Sequence, residues 1–336
     1  MKQFIEGLPK AELHLHLEGS LEPQQMFDFA QRNKITIPFK TVEEVKLAYD
    51  FSNLQDFLDI YYTGMNVLIE EEDFYQLTEA YLEKIAKENV RHVEVFFDPQ
   101  GHTERGVQFA TVVNGISRAL EEVGQRLNVS SKLIMCFLRH LDEESAIKTL
   151  EKASNHLDKI HGVGLDSSEL GHPPSKFENV FSQARALGLY LVAHAGEEGP
   201  PSYIIEALDL LKVDRIDHGN RCLEDPQLVA RIAKEEIVLT VCPLSNLKLC
   251  VVDSMEQHPI KVMLNKGLKA TINSDDPSYF GGYMNDNYYA VATALNLSQS
   301  DIIELAKNSF KGSLLSAESK QQHINNIDNY VSQYAP

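Results

Sequence analysis

The sequence predicts an α/β protein that folds as a (β/α)8 barrel of the TIM type. Three observations support this: eight short segments have strand character, helical sequence separates each segment from the next, and the chain has 336 residues. Strands that alternate with helices pair in parallel, and eight such units can close a barrel of this length. A doubly wound open sheet is the alternative that the same alternation permits. No internal repeat or linker-like stretch divides the chain, so we expect one domain over residues 1–336.

The strands are recognised by short runs of apolar, β-branched and aromatic residues. The first lies in AELHLHLEGS, where apolar and polar residues alternate, and the second, RHVEVFF, is the most clearly patterned. The eight predicted strands lie within Ala11–Ser20, Arg91–Phe97, Leu133–Leu138, Val163–Leu165, Tyr190–Ala193, Arg215–Asp217, Ile237–Val241 and Leu268–Ile272.

The helices are indicated by apolar residues that recur on one face, as Leu77, Tyr81 and Ile85 do. Four helical segments separate the first strand from the second, and we expect this insertion to cover the mouth of the barrel. The predicted helices are Glu22–Asn33, Val42–Tyr49, Leu54–Leu68, Glu72–Glu88, one within Gln108–Arg126, Glu143–Leu157, Lys176–Leu187, Tyr203–Leu211, Pro226–Lys234, Pro259–Asn265 and a helical tail after Asn285.

The composition argues against several classes of protein. The net charge of −18 and the pI near 5.1 disfavour binding to nucleic acid or to anionic membranes. No run of apolar residues has the length of a membrane span, and the first residues have no uninterrupted apolar core of signal-peptide length. The four cysteines lack CxxC spacing. We therefore expect a cytoplasmic protein with reduced cysteines that binds neither nucleic acid nor membranes.

Polar residues able to bind a metal or transfer a proton follow four of the predicted strands. His14 and His16 are two residues apart, so both imidazoles leave an extended chain on the same side. In a (β/α)8 barrel, the carboxyl ends of the strands form the active-site face. The residues that fall at these ends are His14, His16, His194, Glu197, His218, Asp275 and Asp276. Each alone is compatible with a cap or a turn, but their occurrence at four strand ends favours one shared site.

Three imidazoles and one carboxylate, from His14, His16, His194 and Asp275, suit Zn²⁺ or another borderline divalent ion. A metal with an open coordination position would lower the pKa of a bound water and make the site catalytic. Glu197 and His218 then remain for acid–base work. A purely structural metal clamp, or a polar barrel mouth without metal, is the alternative.

The motifs ELHLHLEGS, HAGEEGP, RIDHG and NSDDP occur in this order across nearly the whole chain. Together they resemble the adenosine and AMP deaminase family of metal-dependent hydrolases. The resemblance implies a (β/α)8 barrel, one zinc ion per chain and a small-molecule purine substrate whose 6-amino group is replaced by oxygen. It leaves the oligomeric state open.

The resemblance also implies a role for each site residue. His14, His16, His194 and Asp275 would hold the zinc ion. The same resemblance implies that Glu197 donates a proton, that His218 orients or deprotonates the attacking water, and that Asp276 contacts the purine.

Two further stretches resemble the adenine deaminase branch of this family. In GLDSSELGHPPSKF, Glu169 occupies the place of a glycine typical of the adenosine-specific enzymes, and a carboxylate there would accept from a free base or crowd a ribose. FFDPQGHTERG, residues 96–106, also resembles that branch. The expected reaction is therefore deamination of adenine to hypoxanthine in purine salvage. Deamination of adenosine is the first alternative, and deamination of N6-methyl-AMP is a more distant one.

Three unrelated functions fit the sequence less well. A deaminase of the HxE–PCxxC class would need a PCxxC motif, whereas His92 and Glu94 have none after them. A two-metal barrel hydrolase would need a bridging lysine after the fourth strand, where VGLDSS has none. A binding protein built on an inactive barrel would be expected to have lost a ligand or Glu197, and all are present.

Overall fold

The structure is a computed structural model that describes residues 1–49, 51 and 54–334. Its eight strands form a single sheet in which each strand pairs in parallel with the next along the chain. The predicted (β/α)8 barrel is therefore confirmed, and the open doubly wound sheet is not what the chain forms. The strands are β1 Lys10–His16, β2 Val90–Phe97, β3 Ser130–Leu138, β4 Gly162–Asp166, β5 Tyr190–Ala195, β6 Arg215–His218, β7 Val238–Val241 and β8 Lys269–Ile272.

The barrel closes where the end of β1 meets the chain just after β8. The His16 N–H donates to the Asp275 carbonyl over 3.0 Å, and the Asp275 N–H donates to the His14 carbonyl over 3.2 Å. The Asn273 side chain adds a third link by accepting from the Leu13 N–H over 2.8 Å. The hydrogen bonds that close the sheet thus join the same residues whose side chains were predicted to bind metal.

Seventeen α-helices surround and cap the barrel within the described ranges. They are α1 Lys2–Gly7, α2 Pro23–Asn33, α3 Val42–Ala48, α4 Leu54–Met65, α5 Glu71–Lys87, α6 Pro99–Thr103, α7 Phe109–Leu127, α8 Glu143–Ala153, α9 Glu178–Ala186, α10 Pro201–Glu206, α11 Pro226–Glu235, α12 Pro243–Lys248, α13 Ile260–Asn265, α14 Pro277–Phe280, α15 Met284–Ala294, α16 Gln299–Lys311 and α17 Ala317–Tyr334. The predicted insertion corresponds to α2–α5. None of the helices in the described part of the chain has the length and apolar character needed to cross a lipid bilayer.

The helical prediction missed α1 at the start of the chain and three short helices, α6, α12 and α14, each of which directly follows a strand end. All three have proline at the first helical position, where its missing N–H costs no hydrogen bond. They contain four to six residues, too few to show an apolar face in the sequence. The predicted helix Tyr203–Leu211 is also different: α10 ends at Glu206, and a π-helical turn covers Ala207–Leu211.

A charged network lies inside the barrel below the candidate site. Arg215 on β6 is fully enclosed, pairs with Glu94 of β2, and donates to Asp217 over 3.3 Å and to the Leu13 carbonyl over 2.9 Å. Because a buried guanidinium needs its donors satisfied, these contacts fix strands from opposite sides of the barrel relative to one another. Asp217 continues this network upward to His14 and His194, two of the histidines predicted to bind metal.

Candidate active site

The four predicted metal ligands converge at the carboxyl ends of β1, β5 and β8. The Nε2 atom of His14 lies 3.1 Å from Asp275 Oδ1, and the Nε2 atom of His16 lies 3.5 Å from the same oxygen. His16 Nε2 is also 3.1 Å from His194 Nε2. All four side chains are buried. Residues up to 261 positions apart in sequence thus present nitrogen and oxygen atoms to one small space.

The arrangement of these atoms fits a divalent metal ion. Four ligands at the distances usual for zinc form a tetrahedron whose edges are about 3.3 Å, and the three distances above are close to that length. Thr240 donates its hydroxyl proton to Asp217 over 2.8 Å, so its oxygen accepts from His14 Nδ1 at 2.9 Å. This leaves the Nε2 lone pair of His14 free to face the centre, as a metal ligand requires.

His218 also faces this centre. Its imidazole belongs, with His14, His194 and Asp275, to a group that offers one ligand atom each within 4.8 Å of one another. Its Nε2 atom lies 3.9 Å from Asp275 Oδ2 and 3.6 Å from Glu197 Oε2. His218 therefore lies between the ligand cluster and the predicted proton donor, where a side chain that handles the attacking water is needed.

The buried position of the cluster keeps His194 and Asp275 in the protonation states that bind metal. Burial, together with the neighbouring His14, His218 and His16, lowers the pKa of His194 well below its ordinary value. Burial alone would raise the pKa of Asp275, but His14 and the other imidazoles hold it below its ordinary value. A neutral imidazole and an ionised carboxylate are the forms that coordinate a cation.

Glu197 is set up to keep a proton. It follows β5 in the loop that begins after His194, and its side chain is buried. Burial raises the pKa of Glu197 well above its ordinary value, and the negative charges of Asp275 and Glu169 raise it further. A carboxyl group that is neutral at physiological pH can act as a general acid, which is the role predicted for it.

Asp276 lies beside the cluster on the β8 side. Burial, with Asp275 and Glu18 nearby, raises the pKa of Asp276 well above its ordinary value. The position depends on Gly19, because a Cβ at this residue would come within 1.9 Å of Asp276 Oδ1. The glycine in the HLEGS motif therefore makes room for a second neutral carboxyl group at the site.

Glu169, unlike Asp276, is a predicted purine contact that does not line the cavity. Its Oε1 accepts from the Gly196 N–H over 2.7 Å, and its Oε2 accepts from the N–H groups of Glu198 and Gly199 over 2.8 and 2.7 Å. The predicted contact of this carboxylate with the base has no counterpart in this geometry, because both oxygens are used by the loop that carries Glu197. The sequence did not reveal this role, since the amides that the carboxylate meets come from a different strand end.

A cavity of about 400 Å³ opens directly onto the cluster. One wall consists of His16, His194, Glu197, His218, Asp275 and Asp276. Helix α4 of the insertion forms a largely apolar roof with Leu54, Phe57, Leu58, Tyr61 and Tyr62. The insertion thus covers the barrel mouth, and its aromatic rings lie where a planar base would be enclosed.

Two further carboxyl groups line the cavity and were missed by the sequence analysis. Asp98 follows β2, Asp166 ends β4, and both are 2% exposed. Asp166 Oδ2 lies 3.4 Å from His16 Nδ1, the ring nitrogen on the side away from the other predicted metal ligands. The signal was present in the sequence, because both residues follow predicted strands in the same way as the residues that were recognised.

Comparison with known proteins agrees with this site. A family model described as Adenosine deaminase matches residues 9–330. Adenine deaminase of Sphingopyxis alaskensis is 64% identical over 328 residues, which are 98% of this chain and 96% of that protein. Adenine deaminase of Caulobacter vibrioides is 61% identical over 330 residues, again 98% of this chain and 96% of that protein.

Solved structures give the same picture. The crystal structure of adenine deaminase from Arthrobacter aurescens superposes with a TM-score of 0.95 at 47% identity, covering 97% of this chain and 99% of that one. An amidohydrolase from Burkholderia ambifaria with bound Zn superposes with a TM-score of 0.90 at 27% identity, covering 99% of this chain and 94% of that one. The chain is therefore an enzyme of the adenosine deaminase family, similar throughout its length to the adenine deaminase branch.

Proposed function

We propose that this enzyme hydrolyses adenine to hypoxanthine and ammonia. The observation that carries the proposal is a buried carboxyl group, Glu197, that lies beside three imidazoles and a carboxylate at one cavity and whose pKa is raised by its burial. The names of relatives at 61–64% identity support adenine as the substrate. We propose purine salvage in the cytoplasm as the setting of the reaction.

One zinc ion per chain is the metal that we propose, held by His14, His16, His194 and Asp275. When bound, zinc acts as a Lewis acid and lowers the pKa of a nearby water molecule. The donor set of imidazole nitrogen and carboxylate oxygen supports zinc, as does the bound Zn in the Burkholderia ambifaria amidohydrolase.

The side chains around the metal site have distinct tasks in this reaction. Attack of water at C6 interrupts the aromatic ring, and negative charge develops at N1. Glu197, held protonated by burial, donates its proton to N1. Burial lowers the pKa of His218 to about 3, so its imidazole is neutral and accepts a hydrogen bond from the attacking water. His218 takes a proton from this water and passes it to the amino nitrogen. The bond between C6 and that nitrogen then breaks, ammonia leaves, and the remaining hydroxyl proton returns to Glu197 as the C6 carbonyl forms.

Asp276 fixes the orientation of the ring. A neutral carboxyl group can donate a hydrogen bond, and N7 of adenine is an acceptor on the side of C6 opposite to N1. Contacts with N1 and N7 on either side of C6 prevent the ring from rotating within its plane. The carbon to be attacked is thereby held towards the metal site.

The test is a comparison of kcat/KM for adenine and adenosine, followed by the change in purine absorbance and by release of ammonia from zinc-loaded enzyme. We expect adenine to be converted far faster than adenosine. A preference for adenosine would overturn the substrate, and binding of adenine without ammonia release would overturn the reaction.

A further inference from the structure

Asp98 places an unused hydrogen-bond acceptor in the cavity. Its Oδ2 atom accepts from the Tyr61 hydroxyl over 3.3 Å, and the carboxyl group also shares a hydrogen bond with the carboxyl group of Asp166, but Oδ1 accepts from no N–H or O–H donor among the described residues. The side chain lines the cavity and is 2% exposed, so solvent does not satisfy this oxygen freely. Buried polar atoms in native proteins are nearly always paired, and an exception of this kind points to a ligand.

The local structure does not account for Asp98. The residue directly precedes α6, but its side chain makes no capping hydrogen bond to that helix. Its own N–H donates to Glu18 Oε1 over 3.2 Å, which holds the backbone in place independently of the side chain. The carboxyl group is thus positioned by its surroundings without stabilising the secondary structure that follows it.

The position of Asp98 in the barrel defines which edge of a purine it would meet. In the proposed pose, C6 faces the metal site, N1 faces Glu197 after β5, and N7 faces Asp276 after β8. The edge left over contains N3 and N9, and it is directed away from these groups. Asp98 lies after β2, on the part of the ring between β1 and β5 that the catalytic groups do not occupy.

We propose that Asp98 selects the free base by accepting a hydrogen bond from N9–H of adenine. This inference rests on the proposed function and names the residue that determines its substrate class. Free adenine has a donor at N9, whereas a nucleoside has a ribose there and no hydrogen to donate. An acceptor left unpaired in the nucleoside complex penalises that substrate, in addition to any steric conflict.

The surroundings of the Asp98 carboxyl group favour an uncharged hydrogen-bond acceptor. Burial, followed by the charges of Asp166 and Glu18 and by the hydrogen bond with Asp166, raises the pKa of Asp98 well above its ordinary value, so the proton of this carboxyl group is shared with Asp166. The carbonyl oxygen of a neutral carboxyl group still accepts a hydrogen bond. Recognition of a neutral base therefore needs no isolated charge in the cavity.

The experiment combines two variants with two substrates. Asp98→Leu removes the acceptor at similar size, and Asp98→Asn retains a carbonyl acceptor. Adenine is compared with 9-methyladenine, which lacks the N9 hydrogen. In the wild-type enzyme we expect a high ratio of kcat/KM for adenine over 9-methyladenine. Asp98→Leu should lower that ratio about 10- to 100-fold by slowing adenine alone, and Asp98→Asn should keep most of it.

Asp142→Asn is the matched control, because Asp142 is an aspartate that precedes a helix outside the cavity and caps α8 through the Ser145 N–H. It should leave the ratio unchanged. An equal fall in kcat/KM for adenine and 9-methyladenine in Asp98→Leu would overturn the inference and show that Asp98 only maintains the structure. Failure of the wild-type enzyme to convert adenine would instead overturn the proposed function.

Metal analysis tests a rival role for the same carboxyl group. His16, Asp98 and Asp166 also form a group that could hold a cation. We expect about one zinc ion in both the wild-type enzyme and Asp98→Leu. Two ions in the wild-type enzyme and one in the variant would overturn recognition of N9–H in favour of a second metal.

Discussion

Three backbone amides converge on one carboxylate, that of Glu169, in the loop that carries the proposed acid. The contact is close, since a Cβ on Gly199 would come within 2.5 Å of Glu169 Oε1. A carboxylate that accepts three amide hydrogens fixes the loop as rigidly as a short piece of secondary structure would. We therefore expect Glu169 to affect the proposed reaction through the position of Glu197.

We predict that Glu169→Ala lowers kcat for adenine about 10- to 100-fold, because the acid moves from its position, and changes KM less. Leaving buried amides unpaired should also lower the free energy of unfolding by about 3 kcal/mol. Steady-state kinetics and chemical denaturation measure both effects. Glu178→Ala is the control, since Glu178 is exposed at the start of α9. Unchanged kinetics in Glu169→Ala would contradict this role.

Glu197 gives a second prediction at the level of single residues. Glu197→Gln preserves size and polarity but cannot deliver a proton to N1, so kcat should fall by about 10²–10⁴-fold. Zinc content should stay the same, because Glu197 is not one of the proposed ligands. Kinetics with adenine and metal analysis of the purified variant check both expectations. A loss of less than tenfold would remove Glu197 as the acid.

At the scale of elements, the strands determine how precisely the ligands are held. Other strands support the proposed ligands: on β7, Thr240 links His14 of β1 to Asp217 of β6. Asp217 is in turn held by Arg215. The orientation of the first imidazole thus depends on a chain of hydrogen bonds that extends across the barrel interior.

This chain predicts that Thr240→Val weakens metal binding about 10- to 100-fold, because the His14 Nδ1–H loses its acceptor while the shape of the side chain is preserved. Competition with a chromogenic chelator measures the affinity. Thr78→Val on α5 is a matched control, since Thr78 is equally buried and its hydroxyl donates to the Phe74 carbonyl of its own helix over 2.7 Å. Equal metal affinity in the Thr240 and Thr78 variants would contradict the proposed orientation of His14.

The elements also show what a sequence can and cannot predict. The strands were predictable because buried parallel strands are short apolar runs, and their ends marked the ligands by a simple topological rule. Asp98 and Asp166 obey the same rule and could have been found by applying it to β2 and β4. The partners of Glu169 and Thr240 could not, because they depend on which amide or imidazole lies next to a side chain in space.

At the scale of the whole molecule, the residues of the site and the buried residues that affect only stability lie at opposite ends of the barrel. The carboxyl ends of the strands carry the site, and the opposite end contains other buried polar groups that do not reach the cavity. Lys10 begins β1 at that end, is 0% exposed, and donates to the Glu88 carbonyl over 2.7 Å. Burial lowers the pKa of Lys10 from its ordinary 10.5 to about 7, and Glu88 only partly opposes this effect.

Lys10 consequently makes stability depend on pH. Between pH 7 and 10.5 the unfolded chain retains the lysine proton whereas the folded chain does not, so the contribution of this residue to the free energy of unfolding rises with pH. Relative to Lys10→Met, the wild-type enzyme should gain about 1.4 kcal/mol per pH unit from pH 7.5 to 8.5. Urea denaturation of both proteins at each pH isolates the contribution of Lys10 to the free energy of unfolding, because the other titrating groups are common to the two proteins.

Because Lys10 lies at the opposite end of the barrel from the site, kcat for adenine should change by less than about twofold in Lys10→Met. A stability difference that does not vary with pH would show that Lys10 keeps its proton in the folded enzyme, and a large loss of kcat would show that the two ends of the barrel are coupled.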